Sequence, residues 1–312
     1  MVDILLIISY IIIYYLGTKL KYFPFYFNKP IFSIGLMHGN SPFHLSQHNN
    51  NPIITPDDIK DFKCRFVADP FLYKKEHTWY IFYEAMDVKK KIGKICFSYS
   101  DDLKKWKYGS NIIIENFHLS YPYIFNYNND IYIIPETSRH YDVRLYKCIE
   151  FPFKWELCKI LLRGRYTEPS FVFHNDKCYL FITECDSSIL RLYSADNLLS
   201  NWYEHPQSPI VTNNKAIARS AGKIISYNSQ LYRFSQDCKN IYGKSVSAHK
   251  IIELNEGKYS EKECRDNPIL SPSKEGWNSE RMHHIHAIEE SPGDWIAVVD
   301  GLTNKKGIYL NS

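Results

Sequence analysis

Residues 69–73 read Asp-Pro-Phe-Leu-Tyr, and residues 79–84 continue as Trp-Tyr-Ile-Phe-Tyr-Glu after a short polar segment. The same arrangement returns as Tyr-Pro-Tyr-Ile-Phe at residues 121–125 and Ile-Tyr-Ile-Ile-Pro-Glu at residues 131–136. In both copies a tyrosine lies ten residues after the first proline and a glutamate lies fourteen residues after it. Two alternating apolar runs joined by polar residues are the sequence pattern of a β-hairpin.

Three further copies of this pattern follow along the chain, each with an aromatic residue ten positions after its register position. The five register positions are 70, 122, 169, 222 and 285, which lie between 47 and 63 residues apart. In the first three copies a third apolar run and a segment around Trp106, Trp155 or Trp202 follow the hairpin. Four strands at this period, with no long amphipathic helix between units, are typical of β-propeller blades.

The sequence therefore predicts an all-β fold, a five-bladed β-propeller with four-stranded blades. Propellers close into a ring and so avoid the exposed edges of a linear array. Residues 301–312 are too few to complete the fifth blade, whereas Phe32–Met37 followed by Ser41–Phe43 resembles a third-strand unit that lacks its first two strands. We expect this N-terminal strand to close the ring. The predicted domains are an apolar segment, 1–28, and the propeller, 29–312.

The composition excludes several classes of protein. The 312 residues are 45% apolar and 23% charged, which excludes a disordered, collagenous or coiled-coil chain. Aromatic residues make up 16% of the chain, which favours β structure. The net charge is only +4, and no basic helix or RNP-like motif is present, so we expect no nucleic-acid partner.

The eight cysteines indicate a reducing environment. They contain no CxxC pair and no histidine at zinc-ligand spacing, and several lie within apolar strand-like runs. We therefore expect reduced, mostly buried thiols and a location in the cytoplasm or at the cytoplasmic face of a membrane, although a disulfide framework is the alternative.

The N-terminus contains thirteen uncharged, mainly apolar residues, Ile4–Leu16, followed by Lys19 and Lys21. A full membrane span needs about 20 apolar residues, so this run is short. Asp3 stands where a signal peptide would carry basic residues, which argues against a cleaved signal. Two interpretations stay open: a membrane anchor or monotopic association, with the following residues on the cytoplasmic side, or an apolar segment packed on the domain.

The residues directly before the register positions are the first candidates for a site. In a propeller the first strand of each blade lines the central channel, so these five side chains are expected to converge: Asp69, Tyr121, Glu168, Ala221 and His284. A pair of carboxyl groups is what glycoside cleavage requires, and their mutual repulsion would raise one pKa. The alternative is that Asp-Pro and Glu-Pro form turns in which the acids bond local backbone.

A second set of acids lies at the ends of the second strands, at Glu84, Glu136, Glu184, Asp237 and Asp300. We interpret these mainly as structural partners of serines and arginines in adjacent strands, with Arg144, Arg191 and Arg219 available for pairing. Glu84 and Glu136 are retained as candidate substrate contacts.

The histidine cluster Met282–His286 opens the fifth unit. Strand alternation would place His284 and His286 on one face and His283 on the other. His-x-His can bind a metal ion, but no third ligand is identifiable by spacing, and a contact to a sugar hydroxyl or a carboxylate is the preferred interpretation. Phosphate loops and dinucleotide motifs are absent. We therefore predict no cofactor, with a divalent ion in the central channel as an open alternative.

Several motifs also resemble a known family: Ala68–Phe71, Ser120–Tyr123 with Ile134–Thr137, Glu168–Phe171, Tyr232-Arg233 with Gln236–Cys238, and Tyr242-Gly243. Together they are similar to the N-terminal domain family of plant glucosamine inositolphosphorylceramide transferase and its stand-alone microbial relatives, over about residues 30–302. That domain in turn resembles the five-bladed propellers of family 43 and related glycosidases. The resemblance implies a carbohydrate context.

The resemblance also assigns roles to individual residues. In family 43-like glycosidases the acids come from the first strands of blades one, three and four. Asp69 matches the general base and Glu168 the pKa-tuning acid, but blade four offers Arg219-Ser220-Ala221 and no glutamate as general acid. In the plant protein the transferase activity belongs to a separate downstream domain, so a separate glycosyltransferase is an expected partner.

The sequence thus favours a propeller that recognises a sugar or glycolipid glycan in its central pocket, in glycan biosynthesis linked to glycosyl transfer. One alternative is a glycoside hydrolase with Asp69 as base or nucleophile and Glu168 or a second-strand acid as proton donor. The other is a non-catalytic protein-interaction scaffold. The candidate catalytic residues are Asp69 and Glu168, and the candidate substrate-binding residues are Tyr121, Arg219, His284, His286, Glu84 and Glu136.

Overall fold

The computed structural model describes residues 2–19, 25–185 and 188–310 of the chain. Helix α1 (Val2–Lys19) is followed by strands β1 (Phe25–Ser41) and β2 (His44–Gln47). Two single-turn 3₁₀ helices lie in loops, at Pro56–Asp58 and Ser138–His140. Within the described residues the strands form five antiparallel sheets.

Blades one to three are each built from four consecutive strands. Blade one contains β3 (Cys64–Lys75), β4 (Thr78–Asp87), β5 (Ile92–Ser100) and β6 (Lys107–Ile113). Blade two contains β7 (Ser120–Tyr127), β8 (Asp130–Glu136), β9 (Asp142–Glu150) and β10 (Lys154–Arg163). Blade three contains β11 (Tyr166–His174), β12 (Lys177–Glu184), β13 (Leu190–Ala195) and β14 (Tyr203–Glu204).

Blades four and five depart from this scheme in different ways. Blade four contains β15 (Arg219–Ser220), β16 (Ile225–Tyr227), β17 (Gln230–Gln236), β18 (Val246–Leu254) and β19 (Tyr259–Glu263). Its first strand is split, because β15 and β16 both pair with β17. Blade five takes β20 (Ile285–Ser291) and β21 (Asp294–Leu310) from late in the chain and joins them to β1 and β2 in the order β2-β1-β21-β20.

The predicted five-bladed β-propeller, closed by an N-terminal strand, is thus confirmed. Strands β1 and β21 pair from Phe25 opposite Leu310 to Gly39 opposite Trp295. The strand therefore starts slightly before residue 29, where the sequence placed the beginning of the propeller. Ile34 and Val298 are fully buried at this junction, so the closing strand contributes to the core as well as to the ring.

A β-bulge recurs where the first strand of a blade reaches the channel. In blades one to three the residue before the proline has a left-handed backbone and the pairing register shifts around it. The three residues and their φ angles are Asp69 (53°), Tyr121 (46°) and Glu168 (44°). A positive φ is strained for any residue other than glycine and is concentrated at functional sites. The same β-bulge with a left-handed residue thus positions the side chain at the equivalent place in all three blades.

Aromatic rings close the channel part of the way along its axis. The Phe71 ring contacts the rings of Tyr121 and Tyr123, with centroids 5.0 and 5.4 Å apart. The Tyr121 hydroxyl donates a hydrogen bond to the Gly222 carbonyl and lies 2.8 Å from the Ser170 hydroxyl. We call these three rings the aromatic plug. Phe71 of the plug also contacts the rings of His284 and His286, with centroids 4.7 and 5.7 Å apart.

Helix α1 presents large apolar side chains to solvent. Eleven of them are between 47% and 67% exposed, from Ile4 to Leu16. No helix among the described residues is both long and apolar enough to cross a membrane. Membrane association of residues 1–28 stays a prediction.

None of the eight cysteines, all of which lie in the described residues, forms a disulfide. Cys96 and Cys178 are buried in the sheets, whereas Cys158 is exposed. Burial raises the pKa of the Cys178 thiol to about 11, so that this thiol is un-ionised at neutral pH.

Candidate functional site

Asp300 joins blade five to blade one at one end of the channel. This fully buried carboxylate accepts hydrogen bonds from the backbone N–H groups of Asp69, His283 and His284, each at 3.1 Å. It also accepts one from Nδ1 of the His283 ring at 2.7 Å. Burial alone would raise the pKa of Asp300, but the His283 ring and these hydrogen bonds outweigh it and lower the pKa. Asp300 is therefore a fixed, ionised anchor.

Asp69 lies beside this anchor in a nearly dry environment. Its Oδ1 is 3.6 Å from Nε2 of His283 and 3.8 Å from Nδ1 of His284. Burial raises the pKa of Asp69 to about 7; Asp300 and Glu136 add to the increase, and His283 opposes it. Asp69 thus changes charge near neutral pH, as a catalytic or ligand-binding acid does.

The junction between blades two and three resembles the junction between blades five and one. Glu136, at the end of β8, accepts the backbone N–H of Glu168 at 3.4 Å, just as Asp300 accepts that of Asp69. The other Glu136 oxygen accepts the Ser138 hydroxyl at 2.7 Å. At these two blade junctions a second-strand acid therefore supports the left-handed residue of the next blade. The Ser138 partner of Glu136 fits the predicted pairing with serines, whereas the partners of Asp300 are backbone N–H groups and the His283 ring.

Glu168 and Arg219 form an ion pair in which one hydrogen-bonding atom of each side chain has no partner among the described residues. Nη2 of Arg219 donates to Oε1 of Glu168 at 2.5 Å, while Oε2 of Glu168 and Nε of Arg219 are buried without a partner among the described residues. Burial raises the pKa of Glu168 to about 8 against the effect of Arg219. Buried polar atoms without partners are rare, and such atoms are often completed by water or a ligand.

Two further side chains border this region. Tyr242 lies in the loop between β17 and β18. The centre of its ring is 5.0 Å from Cζ of Arg219 and 5.4 Å from the centre of the His283 ring. Glu84, at the β4 position equivalent to Glu136, has Oε1 3.4 Å from Nε2 of His118. Burial, followed by Asp69 and Glu136, raises the pKa of Glu84 well above its ordinary value. We call this end of the channel, with Asp69, Glu84, Glu136, Glu168 and Arg219, the carboxylate mouth.

One group in the described residues has the spacing of a metal site. One ligand atom each from Asp69, His283 and Asp300 lies within 4.8 Å of the others. Both Asp300 oxygens already accept backbone hydrogen bonds, so a cation would depend mainly on Asp69 and on Nε2 of His283. A divalent ion in the channel stays a prediction.

The structure brings most of the predicted site residues to the carboxylate mouth, but not all of them. Tyr121 is fully buried in the aromatic plug, and its hydroxyl is used within the fold. His286 lies on the other side of Phe71, where its Nδ1 accepts the Leu72 N–H at 2.9 Å. Glu184 pairs with Arg191 within blade three, away from the channel. The predicted pocket that would hold Tyr121 and His286 together with Asp69 is therefore not what the structure contains.

Two residues of this site, His283 and Tyr242, were not among the predicted site residues. Alternation placed His283 opposite His284 and His286, but residues 282–284 precede strand β20 and do not follow the two-residue period. Tyr242 stands in a loop that carries no periodic signal, although Tyr242-Gly243 was among the motifs of the resemblance. Gly243 allows the close approach, because a Cβ there would lie 2.6 Å from the His283 Cβ.

Comparison with known proteins supports the resemblance drawn from the sequence. Residues 27–302 match the family model described as "Glucosamine inositolphosphorylceramide transferase 1, N-terminal". Glucosamine inositolphosphorylceramide transferase 1 of Oryza sativa subsp. japonica is 33% identical over 296 residues, covering 86% of this chain and 40% of the relative. The Arabidopsis thaliana protein of the same name is 31% identical over 300 residues, covering 88% and 39%. The chain thus spans about two fifths of these curated relatives.

Solved structures similar to this one are glycosidase propellers. The catalytic domain of the GH62 α-L-arabinofuranosidase of Coprinopsis cinerea superposes with a TM-score of 0.60 at 10% identity, over 81% of this chain and 95% of that one. The β-xylosidase RS223 superposes with a TM-score of 0.56 at 15% identity, over 70% and 80%. At such identities the likeness concerns the fold alone.

Proposed function

Because this chain belongs to the family defined by the N-terminal domain of glucosamine inositolphosphorylceramide transferase 1, we propose that its propeller binds a sugar or glycolipid glycan at the carboxylate mouth. The observation that carries this proposal is the set of buried atoms without partners there. Among the described residues, Oε1 of Glu84 and Oε2 of Glu168 have no hydrogen-bond donor, and Nε of Arg219 has no acceptor. Sugar hydroxyls both donate and accept, and so match such a mixed set.

We further propose that the propeller acts in glycan biosynthesis, alongside a separate glycosyltransferase. The curated relatives are transferases by name, and the chain spans about two fifths of their length. In this proposal the propeller holds the glycan and the partner enzyme transfers the sugar. Tyr242 supports this role, since a half-exposed aromatic ring at the rim of the site can stack on a sugar face.

Sugar binding by the full chain tests the proposal. We expect calorimetric binding of at least one member of a panel of methyl glycosides of glucose, glucosamine, mannose and xylose. Arg219→Met should weaken that binding by about tenfold or more, because it removes a charged donor from a nearly dry site.

Arg191→Met is the matched control, since Arg191 pairs with Glu184 and Glu204 outside the channel. Circular dichroism would verify that both variants are folded. Equal affinity of Arg219→Met and the wild-type protein for the bound glycoside would contradict the proposal. No binding of any glycoside at millimolar concentration would favour the protein-interaction scaffold.

A glycoside hydrolase is the second candidate, and the raised pKa values of Asp69 and Glu84 favour it. Glu84, whose pKa burial raises well above its ordinary value, would donate a proton to the leaving oxygen, while ionised Asp69 would activate water. Incubation with p-nitrophenyl xyloside, arabinofuranoside and glucosaminide would reveal such turnover. We expect Glu84→Gln to lower kcat by about 100-fold or more if hydrolysis occurs. No release of nitrophenol by the wild-type protein would reject the hydrolase.

A further inference from the structure

A second cavity lies on the other side of the aromatic plug. It has a volume of about 420 Å³ and is lined by the end of β3, the segment around β16, the end of β20 and Trp295. We call it the Lys223 cavity, after the residue that precedes β16. None of the residues of the carboxylate mouth lines it.

Lys223 is a mostly buried cation that has no counter-ion among the residues the structure describes. Its ammonium group donates to the Ile124 carbonyl at 3.1 Å and lies 5.9 Å from the centre of the Tyr123 ring. No described residue forms an ion pair with it, and burial lowers the pKa of Lys223 to about 8. At neutral pH Lys223 therefore remains mainly charged. An unpaired charge with little access to water is costly unless a ligand neutralises it.

Two more donors line the same cavity. Nδ1 of His286 accepts the Leu72 N–H, so the proton of the neutral ring is on Nε2, which is a donor. Nε1 of Trp295 is buried and has no partner among the described residues. One acid, Glu289, also lines the cavity; its Oε1 accepts the Gly293 N–H, and the neighbouring Glu290 pairs with Lys74. The cavity therefore brings together three donor groups, of which Nε1 of Trp295 has no partner among the described residues.

We propose that the Lys223 cavity binds the phosphate group of a small organic phosphate. Lys223 would supply the positive charge, and His286 and Trp295 would donate to the phosphate oxygens. A lysine ammonium is an ordinary phosphate ligand in proteins. Leu72, Ile224 and Ile288 provide apolar walls for the rest of the molecule. This site is distinct from the carboxylate mouth, because the two share no residue.

Titration of the full-length protein with inorganic phosphate, glucose 6-phosphate and a short-chain phosphatidic acid tests the proposal. Sodium chloride at matched ionic strength corrects for screening. We expect saturable binding of at least one phosphate compound, and the three compounds distinguish a free phosphate, a sugar phosphate and a lipid headgroup. Lys223→Met should weaken this binding at least tenfold, and Trp295→Phe should weaken it severalfold.

Lys147→Met is the matched control, because Lys147 pairs with Asp130 in blade two and its loss changes the net charge equally. Without ligand, Lys223→Met should melt at a higher temperature than the wild-type protein, since it removes an unpaired buried charge. Equal phosphate affinity in the wild-type protein and Lys223→Met would overturn the proposal, as would equal losses in Lys223→Met and Lys147→Met. If Lys223→Met does not fold, unchanged affinity in Trp295→Phe would count against the site.

Discussion

Replacing Asp300 by alanine is expected to lower the free energy of unfolding by about 4 kcal/mol. The carboxylate is fully buried and accepts three backbone N–H groups and one imidazole N–H. Alanine would leave these donors without partners and would remove the anion that His283 faces. Because the hydrogen bond to Asp69 joins blade five to blade one, the substitution would weaken the closure of the ring. Urea unfolding followed by circular dichroism would measure it.

Two further variants test this expectation. Asp300→Asn keeps one acceptor oxygen but turns an amide towards the Asp69 N–H. Its decrease in the free energy of unfolding should therefore lie between zero and that of Asp300→Ala. Asp237→Ala is the control, because Asp237 holds the equivalent place in blade four. Among the described residues its side chain accepts a hydrogen bond only from the Lys239 N–H. Asp237→Ala should lower the free energy of unfolding by about 1 kcal/mol or less. Similar losses for Asp300→Ala and Asp237→Ala would show that Asp300 is not an anchor.

Asp69→Asn is expected to stabilise the protein increasingly as the pH rises. The pKa of Asp69 is about 7 in the folded protein, against an ordinary value of 3.8. Between these values the unfolded chain carries the charge and the folded chain does not, so wild-type stability falls with rising pH. Asparagine does not titrate. The stability difference should therefore grow by about 1.4 kcal/mol per pH unit from pH 4 to pH 7 and then level off.

Chemical unfolding of both proteins at pH 4, 5.5, 7 and 8.5 would measure this difference in stability. The other titratable groups are the same in both proteins, so their contributions largely cancel. Asn also tolerates the left-handed backbone at this position, so the fold should be kept. Asp102→Asn is a control of opposite sign: backbone N–H groups of Lys105 and Lys104 lower the pKa of this exposed acid. A difference for Asp69→Asn that does not change with pH would mean that Asp69 ionises as an ordinary surface acid.

The architecture could be predicted from the sequence because a propeller repeats its hydrophobic pattern. All five blades have an aromatic residue ten positions after the register position, although the blades differ in most other positions. The closure by the N-terminal strand followed from counting strands and avoiding an open edge. The division of the first strand of blade four did not follow, because it depends on Gly222, where a Cβ would lie 1.7 Å from the Ile285 carbonyl oxygen.

The site was harder to predict, because it depends on positions where strand periodicity stops. Asp69 and Glu168 were found since they occupy equivalent places in the repeat. His283 lies before its strand begins, and Tyr242 comes from a loop, so alternation says nothing about either. The division of the channel by Phe71, Tyr121 and Tyr123 was also not predictable. It depends on how rings from two blades meet in space, and it separates His286 from the acids.

The pairing of β1 with β21 has a consequence for how this protein is made. During translation β1 leaves the ribosome well before β21, because the strands of blades one to four lie between them in the sequence. Blades one to four can assemble as the nascent chain lengthens, but the ring stays open until β21 has been synthesised. Throughout that interval β1 exposes an unpaired edge with an apolar face, the kind of segment that chaperones bind and that otherwise aggregates.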